Sequence, residues 1–200
     1  MIKYIAILTM LIDHINHILY NSQYELLSQI GRLAFPCFIY LAVKSYMYYT
    51  KDKINYMARL YVFAMITIPF YIYAFDKELP LNIFFSLFLG LLTLYFIEKK
   101  YYYFVWVPIV LSLYTEYSFF AVVAFIAMYN FLLTRNILNL LFLIISLFLL
   151  NPYYQEYYLL VFVPLILVDL NYKIDFKSSL NKYFFYAFYP AHIFILGLLK

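Results

Sequence analysis

The most informative absence in this 200-residue sequence is that of charge. Charged residues make up 12% of the chain and apolar residues 68%. Soluble domains carry about 25% charged and about 45–50% apolar residues. A soluble fold of this size has too little interior to hide so much apolar surface, so the surrounding solvent must be lipid. The scarcity of charge therefore excludes a soluble globular domain and predicts an integral membrane protein in contact with membrane lipids.

Cysteine and the familiar catalytic motifs are also scarce. The one cysteine, Cys37, lies inside an apolar segment, which excludes an internal disulfide and a zinc cluster. The sequence contains no nucleotide-binding loop, no zinc motif and no Ser–His–Asp set. It also lacks the symmetry between halves that many transporters have. We therefore expect neither a metal nor a nucleic acid as a ligand.

The sequence does have a series of apolar blocks separated by short polar breaks. These blocks predict about nine transmembrane helices in one all-α domain over residues 1–200. Breaks as short as Thr115-Glu116 force neighbouring helices to be antiparallel. The blocks lie near 2–20, 30–49, 57–75, 80–97, 102–115, 117–134, 137–151, 156–171 and 181–199.

The basic residues predict how these helices are oriented. If the N-terminus is cytoplasmic, most of the 14 lysines and arginines fall in breaks on the cytoplasmic side, and the acidic residues fall mainly on the other. This distribution matches the positive-inside rule. It predicts a multi-pass membrane protein with its N-terminus in the cytoplasm.

Ionisable side chains inside spanning segments are costly, which makes them candidates for function. Asp13 and His14 lie about two thirds of the way along the first block. His14 can take a proton near neutral pH, and a nearby carboxylate favours the charged form. The alternative interpretation is an interfacial polar cluster that ends the helix.

Two arginines are further candidates. Arg32, at the outer end of the second block, either snorkels to the interface or pairs with Asp13. Arg59 follows Lys51 and Lys53 at the inner start of the third block. It is either ordinary positive-inside charge or an anchor for a phosphorylated cytosolic cofactor, because a guanidinium matches phosphate geometry.

Two uncharged or weakly basic residues complete the candidates. Asn82, at the outer start of the fourth block, either caps a helix or contacts a substrate. His192 lies about halfway along the last block and needs a polar partner, which a backbone carbonyl freed by Pro190 can supply. It is either a satisfied structural histidine or a catalytic one.

These residues fall in short motifs that together resemble the TraX family. The strongest are Met-x-x-Asp-His at 10–14 and Gly-Arg-x-Ala-Phe-Pro at 31–36, and shorter matches surround Arg59, Asn82 and His192. Their order and spacing match over nearly the whole chain. The family includes the acetylase of conjugative pilin and is similar to the larger group of transmembrane acyltransferases.

The resemblance implies an integral membrane acetyltransferase of the bacterial inner (cytoplasmic) membrane. Such an enzyme takes its acetyl group from acetyl-CoA and modifies the N-terminal amine of a pilin-like protein. The resemblance makes His14 the catalytic base and Asp13 its neighbour in the motif, whereas His17 matches no family motif. The expected substrate- and cofactor-binding residues are Arg32, Arg59, Asn82 and His192. Acetylation of a glycan or lipid hydroxyl, a small transporter and a non-catalytic pilin-assembly protein are the alternatives, and the sequence does not predict an oligomeric state.

Overall fold

The computed structural model describes residues 2–77, 79, 81–150 and 183–200. Every regular element in these ranges is a helix, which confirms the all-α prediction for them. The helices are α1 (Ile2–Tyr20), α2 (Glu25–Gly31), α3 (Ala34–Lys44), α4 (Lys53–Phe75), α5 (Ile83–Glu98), α6 (Trp106–Ser112), α7 (Ser118–Thr134), α8 (Ile137–Leu149) and α9 (Phe184–Leu199), with a π-helical turn at Ser45–Tyr49 and a 3₁₀ turn at Tyr102–Phe104.

Three helical segments are long and apolar enough to cross a membrane, namely Ile2–Tyr20, Glu25–Tyr49 and Lys53–Phe75. The other apolar helical segments in the described ranges, with the 3₁₀ turn and α6 counted together as Tyr102–Ser112, have 10 to 17 residues, fewer than the roughly 20 that a straight span needs. The apolar blocks thus correspond to helices wherever the structure describes them. The count of nine spans and the orientation stay predictions, and the eighth block, 156–171, lies outside the described residues.

Short polar side chains fix where three of the helices begin. Asp52 precedes α4 and accepts a hydrogen bond from the backbone N–H of Asn55 at 2.9 Å. This bond lowers the pKa of the Asp52 carboxyl, because it stabilises the charged form. Asn82 caps α5 by accepting from the N–H of Phe84, and Asn136 caps α8 in the same way. Each cap satisfies a backbone donor that the first helical turn leaves without a partner.

The chain divides into two compact units. The first comprises Met1–Leu41, Pro69–Lys77 and Tyr154–Lys200, and the second comprises Ala42–Ile68 and Glu78–Tyr153. In the described ranges, α1, α2 and α9 belong to the first unit, and α5 to α8 belong to the second.

In the first unit, α1 packs against α2 and α9. The Asn16 amide on α1 donates to the backbone carbonyl of Tyr24 at 2.9 Å and to the hydroxyl of Ser28 at 2.8 Å. On α9, Gly197 lies so close to Tyr73 that a Cβ atom there would be 2.9 Å from the tyrosine ring. The first contacts hold α2 against α1, the last holds α9 against the end of α4, and α1 and α9 pack directly on each other.

In the second unit, a single carboxylate joins several elements. Glu98, the last residue of α5, accepts from the hydroxyl of Tyr46 at 2.7 Å and from the hydroxyl of Tyr129 at 2.9 Å. It also pairs with the Lys53 ammonium at 2.7 Å, which lies 4.2 Å from the centre of the Tyr46 ring. Glu98 thereby ties the π-helical turn, the start of α4 and helix α7 to the end of α5.

Candidate active site

Two buried histidines from opposite ends of the chain meet in the first unit. His14 on α1 and His192 on α9 are 8% and 5% exposed. Nδ1 of His14 lies 2.7 Å from Nε2 of His192. The two rings are nearly parallel, with planes 6° apart and centroids 5.0 Å apart. The structure therefore brings together two candidate site residues that the sequence alone does not relate to each other.

His192 is held in place from the other side of its ring. Its Nδ1 atom lies 2.8 Å from the backbone carbonyl oxygen of Phe188, one turn earlier on α9. The Phe188 ring also stacks on the imidazole at a centroid distance of 4.8 Å. The carbonyl that Pro190 leaves without a helical donor belongs to Tyr186, four residues before it. The expected role of Pro190 is therefore wrong in this detail, because a different carbonyl is the partner.

Aromatic rings surround His14. Phe75, the last residue of α4, meets its imidazole edge-on at a centroid distance of 5.5 Å. Tyr189 on α9 lies against the imidazole at 5.9 Å. The base candidate thus sits in a pocket of apolar ring surfaces, with His192 as its hydrogen-bond partner.

Asp13 faces α2 rather than its neighbour in sequence. A Cβ atom on Gly31 would lie 2.3 Å from Oδ1 of Asp13, so the carboxylate rests directly on the glycine backbone. Arg32, the next residue, is close enough to act electrostatically on Asp13. In the part of the chain that the structure describes, no hydrogen bond joins Asp13 to His14, as expected for neighbours about 100° apart on a helix.

The other two expected site residues, Arg59 and Asn82, belong to the second unit. Both polar groups of the Asn82 side chain are used within that unit, since its oxygen accepts from Phe84 and its nitrogen donates to the carbonyl of Ala64 at 3.0 Å. Asn82 is also only 1% exposed. The Arg59 guanidinium lies 5.9 Å from the centre of the Tyr56 ring. The capping role of Asn82 is observed, whereas the binding roles of both residues stay predictions.

The first unit also contains a cavity of about 290 Å³. Phe75 lines it and contacts the rings of both His14 and His17, at centroid distances of 5.5 and 5.3 Å. The Lys200 ammonium bonds to the Asp76 carboxylate at its wall. The lining residues are His17, Ile18, Asn21, Ser22, Ala74, Phe75, Asp76, Lys77 and Lys200.

A model of the family described as TraX protein matches residues 1–200, the whole chain. The chain belongs to the TraX family. The resemblance carried by the motifs around His14 and Arg32 is thus confirmed, and the chain is a helical membrane protein of a conjugation-related family. No curated protein and no solved structure matches it.

In this TraX-family protein, the first unit brings together the residues of the two strongest motifs and one residue of the last helix. Asp13, His14, Arg32 and His192 all belong to it. His17 lines the cavity, although it is not among the site residues that the sequence predicts. The sequence feature that points to His17 is its three-residue spacing from His14, because this spacing places both side chains on one face of α1. Such a site can accept a proton from a nucleophile and stabilise a developing negative charge.

Proposed function

We propose that this protein is an integral membrane acetyltransferase. It moves an acetyl group from cytosolic acetyl-CoA to an acceptor at the bacterial inner membrane, and the N-terminal amine of a pilin-like protein is that acceptor. The observation that carries the proposal is the buried contact between His14 and His192 at 2.7 Å. A histidine that is buried and bonded to a second one, within the Asp-His motif of the family, suits proton transfer.

His14 is the general base in this proposal. As the acceptor nitrogen forms its bond to the acetyl carbonyl carbon, His14 takes the proton from that nitrogen. The carbon–sulfur bond breaks, and the departing thiolate receives the proton from His14. The products are the acetylated amine and free CoA, and His14 returns to its starting state. A positioned base of this kind typically contributes about 10²–10⁴-fold to the rate.

Arg32 stabilises the negative charge that develops on the acetyl oxygen. Asp13 positions Arg32 rather than His14, because its carboxylate rests on Gly31, directly before the arginine. The electrostatic interaction between Asp13 and Arg32 supports this assignment.

The cavity beside Phe75 is the entry site for the acceptor. A volume of about 290 Å³ is at the small end of the range for ligand sites. It accommodates the end of a chain or a small polar group rather than a folded surface. This size supports an acceptor that presents a terminal group, as a pilin-like protein does with its N-terminus.

The phosphates of the acyl donor need cations, and the polar breaks predicted to be cytoplasmic offer them. Arg59 is half-buried, and Lys51 and Lys100 are exposed. The Lys53 ammonium is already paired with Glu98, so we assign phosphate binding to Arg59, Lys51 and Lys100. The chemistry of these side chains fits a phosphorylated donor.

Mass spectrometry of membrane and surface proteins tests this function. Cells with the protein should contain one pilin-like protein heavier by one acetyl group than the same protein from cells without it. His14→Gln should abolish the gain in mass. Thr93→Val, which changes a buried hydroxyl of α5 in the second unit, should preserve it.

The alternatives give different results in the same experiment. Release of CoA without a mass gain on any protein would favour a glycan or lipid hydroxyl as the acceptor. Binding of a pilin-like protein with neither CoA release nor acetylation would favour an assembly protein. A full acetyl gain with His14→Gln at normal expression would contradict the proposed mechanism.

A further inference from the structure

We propose that His192 holds His14 in a single tautomer, in which Nδ1 of His14 carries the hydrogen and Nε2 carries the lone pair. The assignment of the hydrogens follows from two short contacts and from which atoms can donate. The use of the Nε2 lone pair as the catalytic base rests on the proposed function, whereas the tautomer itself does not.

The contact between His192 and Phe188 fixes the first hydrogen. The backbone carbonyl oxygen of Phe188 has no hydrogen to give, so it can only accept. Nδ1 of His192 lies 2.8 Å from this oxygen and must therefore be the N–H donor. In a neutral imidazole only one nitrogen carries a hydrogen. Nε2 of His192 is consequently left with a lone pair.

The contact between the two histidines fixes the second hydrogen. Nε2 of His192 and Nδ1 of His14 are 2.7 Å apart, a distance that requires one hydrogen between them. Since His192 has no hydrogen at Nε2, the hydrogen is on Nδ1 of His14. His14 therefore donates to His192, and His192 donates to the Phe188 carbonyl. Nε2 of His14, at the start of this chain of hydrogen bonds, keeps a lone pair.

The packing around His192 keeps the ring in the orientation that these two hydrogen bonds need. The Phe188 ring stacks on the His192 imidazole with planes 16° apart, and the His14 imidazole lies edge to edge with it, with planes 6° apart. Tyr189 meets the His192 ring edge-on at 5.6 Å. A flip of the His192 ring would put carbon atoms in the positions of its two nitrogens and lose both hydrogen bonds. Among the described residues, His17 and Arg32 also act electrostatically on His14, and Asp13 precedes it on α1.

His192 is thus a positioning residue. It acts through His14, in the way that an acidic residue orients a catalytic histidine in the serine hydrolases. When His14 takes a proton, its Nδ1–H bond to His192 becomes charge-assisted and therefore stronger. In the proposed reaction, this bond stabilises the cationic imidazole that exists while the acetyl group is being transferred.

Two variants separate this role from a merely structural one. His192→Leu removes the acceptor, so His14 loses its fixed tautomer, and kcat should fall by about 10²–10⁴-fold while KM changes little. His192→Gln offers an amide oxygen that can accept from Nδ1 of His14, so it should restore a substantial part of that loss. Equal activity of the Leu and Gln variants at equal folding would overturn the role.

The decisive experiment reads the tautomer without any acetyl transfer. The full chain, labelled with ¹⁵N-histidine and reconstituted in lipid bilayers at neutral pH, is studied by NMR, and signals are assigned with His14→Gln and His17→Gln. We expect a protonated Nδ1 and a bare Nε2 on His14, with the hydrogen of Nδ1 coupled to Nε2 of His192. His192→Leu should mix the two tautomers of His14, and His192→Gln should keep the original one.

The outcomes distinguish this inference from the proposed function. A hydrogen on Nε2 of His14 in the unsubstituted protein, or an unchanged spectrum for His14 in the Leu variant, would overturn the inference. The expected spectrum in a protein that transfers no acetyl group would support the inference and contradict the proposed function.

Discussion

At the scale of single residues, the sequence identifies chemistry but not partners. Asp13 and His14 stand out because they are ionisable residues in an apolar helix, and that signal is local. The pairing of His14 with His192 spans 178 residues of sequence, and no local pattern encodes it. Asp13 is adjacent to His14 in sequence, yet it rests on the backbone of Gly31. Adjacency in a motif is therefore a poor guide to which side chains act together.

Gly31 offers a test at this scale. In Gly31→Ala, the added methyl would lie 2.3 Å from the Asp13 carboxylate, so the carboxylate or α2 must move. We expect a loss of stability of about 1–3 kcal/mol from overpacking. We also expect a clear fall in acetyl transfer per folded molecule, because Arg32 is displaced. Thermal unfolding in detergent and acetyl transfer, measured on the same preparation, check both effects.

Gly90→Ala is the matched control. Its methyl would lie 2.3 Å from the ring of Phe125 in the second unit, so it should also destabilise by overpacking. Transfer per folded molecule should be unchanged in this variant. An equal fall in both variants would show that Gly31 matters for packing alone.

At the scale of helices, the apolar pattern locates each element well but misses its ends and its breaks. The first block, 2–20, corresponds to α1 (Ile2–Tyr20). The block at 30–49 contains the end of α2, the whole of α3 and the π-helical turn, because hydropathy does not register a local change in helical winding. The third block was predicted to start at 57, but α4 starts at Lys53, since the polar cap at Asp52 lengthens it.

The role of the Glu98 carboxylate is the clearest feature that the apolar pattern of the helices does not predict. A charge at the end of an apolar helix is expected at a membrane interface, so nothing in the sequence singles out Glu98. Glu98→Ala would leave the hydroxyl of Tyr46, which is 0% exposed, without its acceptor. We expect a loss of stability of about 1–3 kcal/mol, measured by unfolding of the purified protein in detergent.

Glu98→Gln is the control for this prediction. The amide keeps an oxygen that can accept from Tyr46 but removes the charge partner of Lys53. Because Lys53 and Glu98 are 30% and 25% exposed, their charge pair contributes little, about 0–1 kcal/mol. The Gln variant should therefore be more stable than the Ala variant. Stability equal to the unsubstituted protein in both would contradict the role of Glu98.

At the scale of the whole molecule, composition and charge distribution predict a helical membrane protein, and the family match over residues 1–200 agrees with it. The division into two compact units was not predictable, because the polar breaks that delimit helices do not delimit units. The predicted orientation places the break at Glu25 outside and the break at Lys100 in the cytoplasm, following the positive-inside rule.

Cysteine labelling checks this orientation. In a Cys37→Ser background, Glu25→Cys should react with an impermeant thiol reagent in intact cells. Lys100→Cys should react only after the membrane is opened. The opposite pattern would reverse the orientation, and labelling of both in intact cells would contradict the number of crossings between them.

The most direct test of the central claim is acetyl transfer by the purified full chain in lipid, supplied with acetyl-CoA and a peptide bearing the N-terminus of the acetylated protein. The proposed function predicts that the unsubstituted protein releases CoA in equal amounts with acetylated peptide, and that His14→Gln lowers this rate by about 10²–10⁴-fold at unchanged folding. Transfer at the full rate by His14→Gln would contradict it.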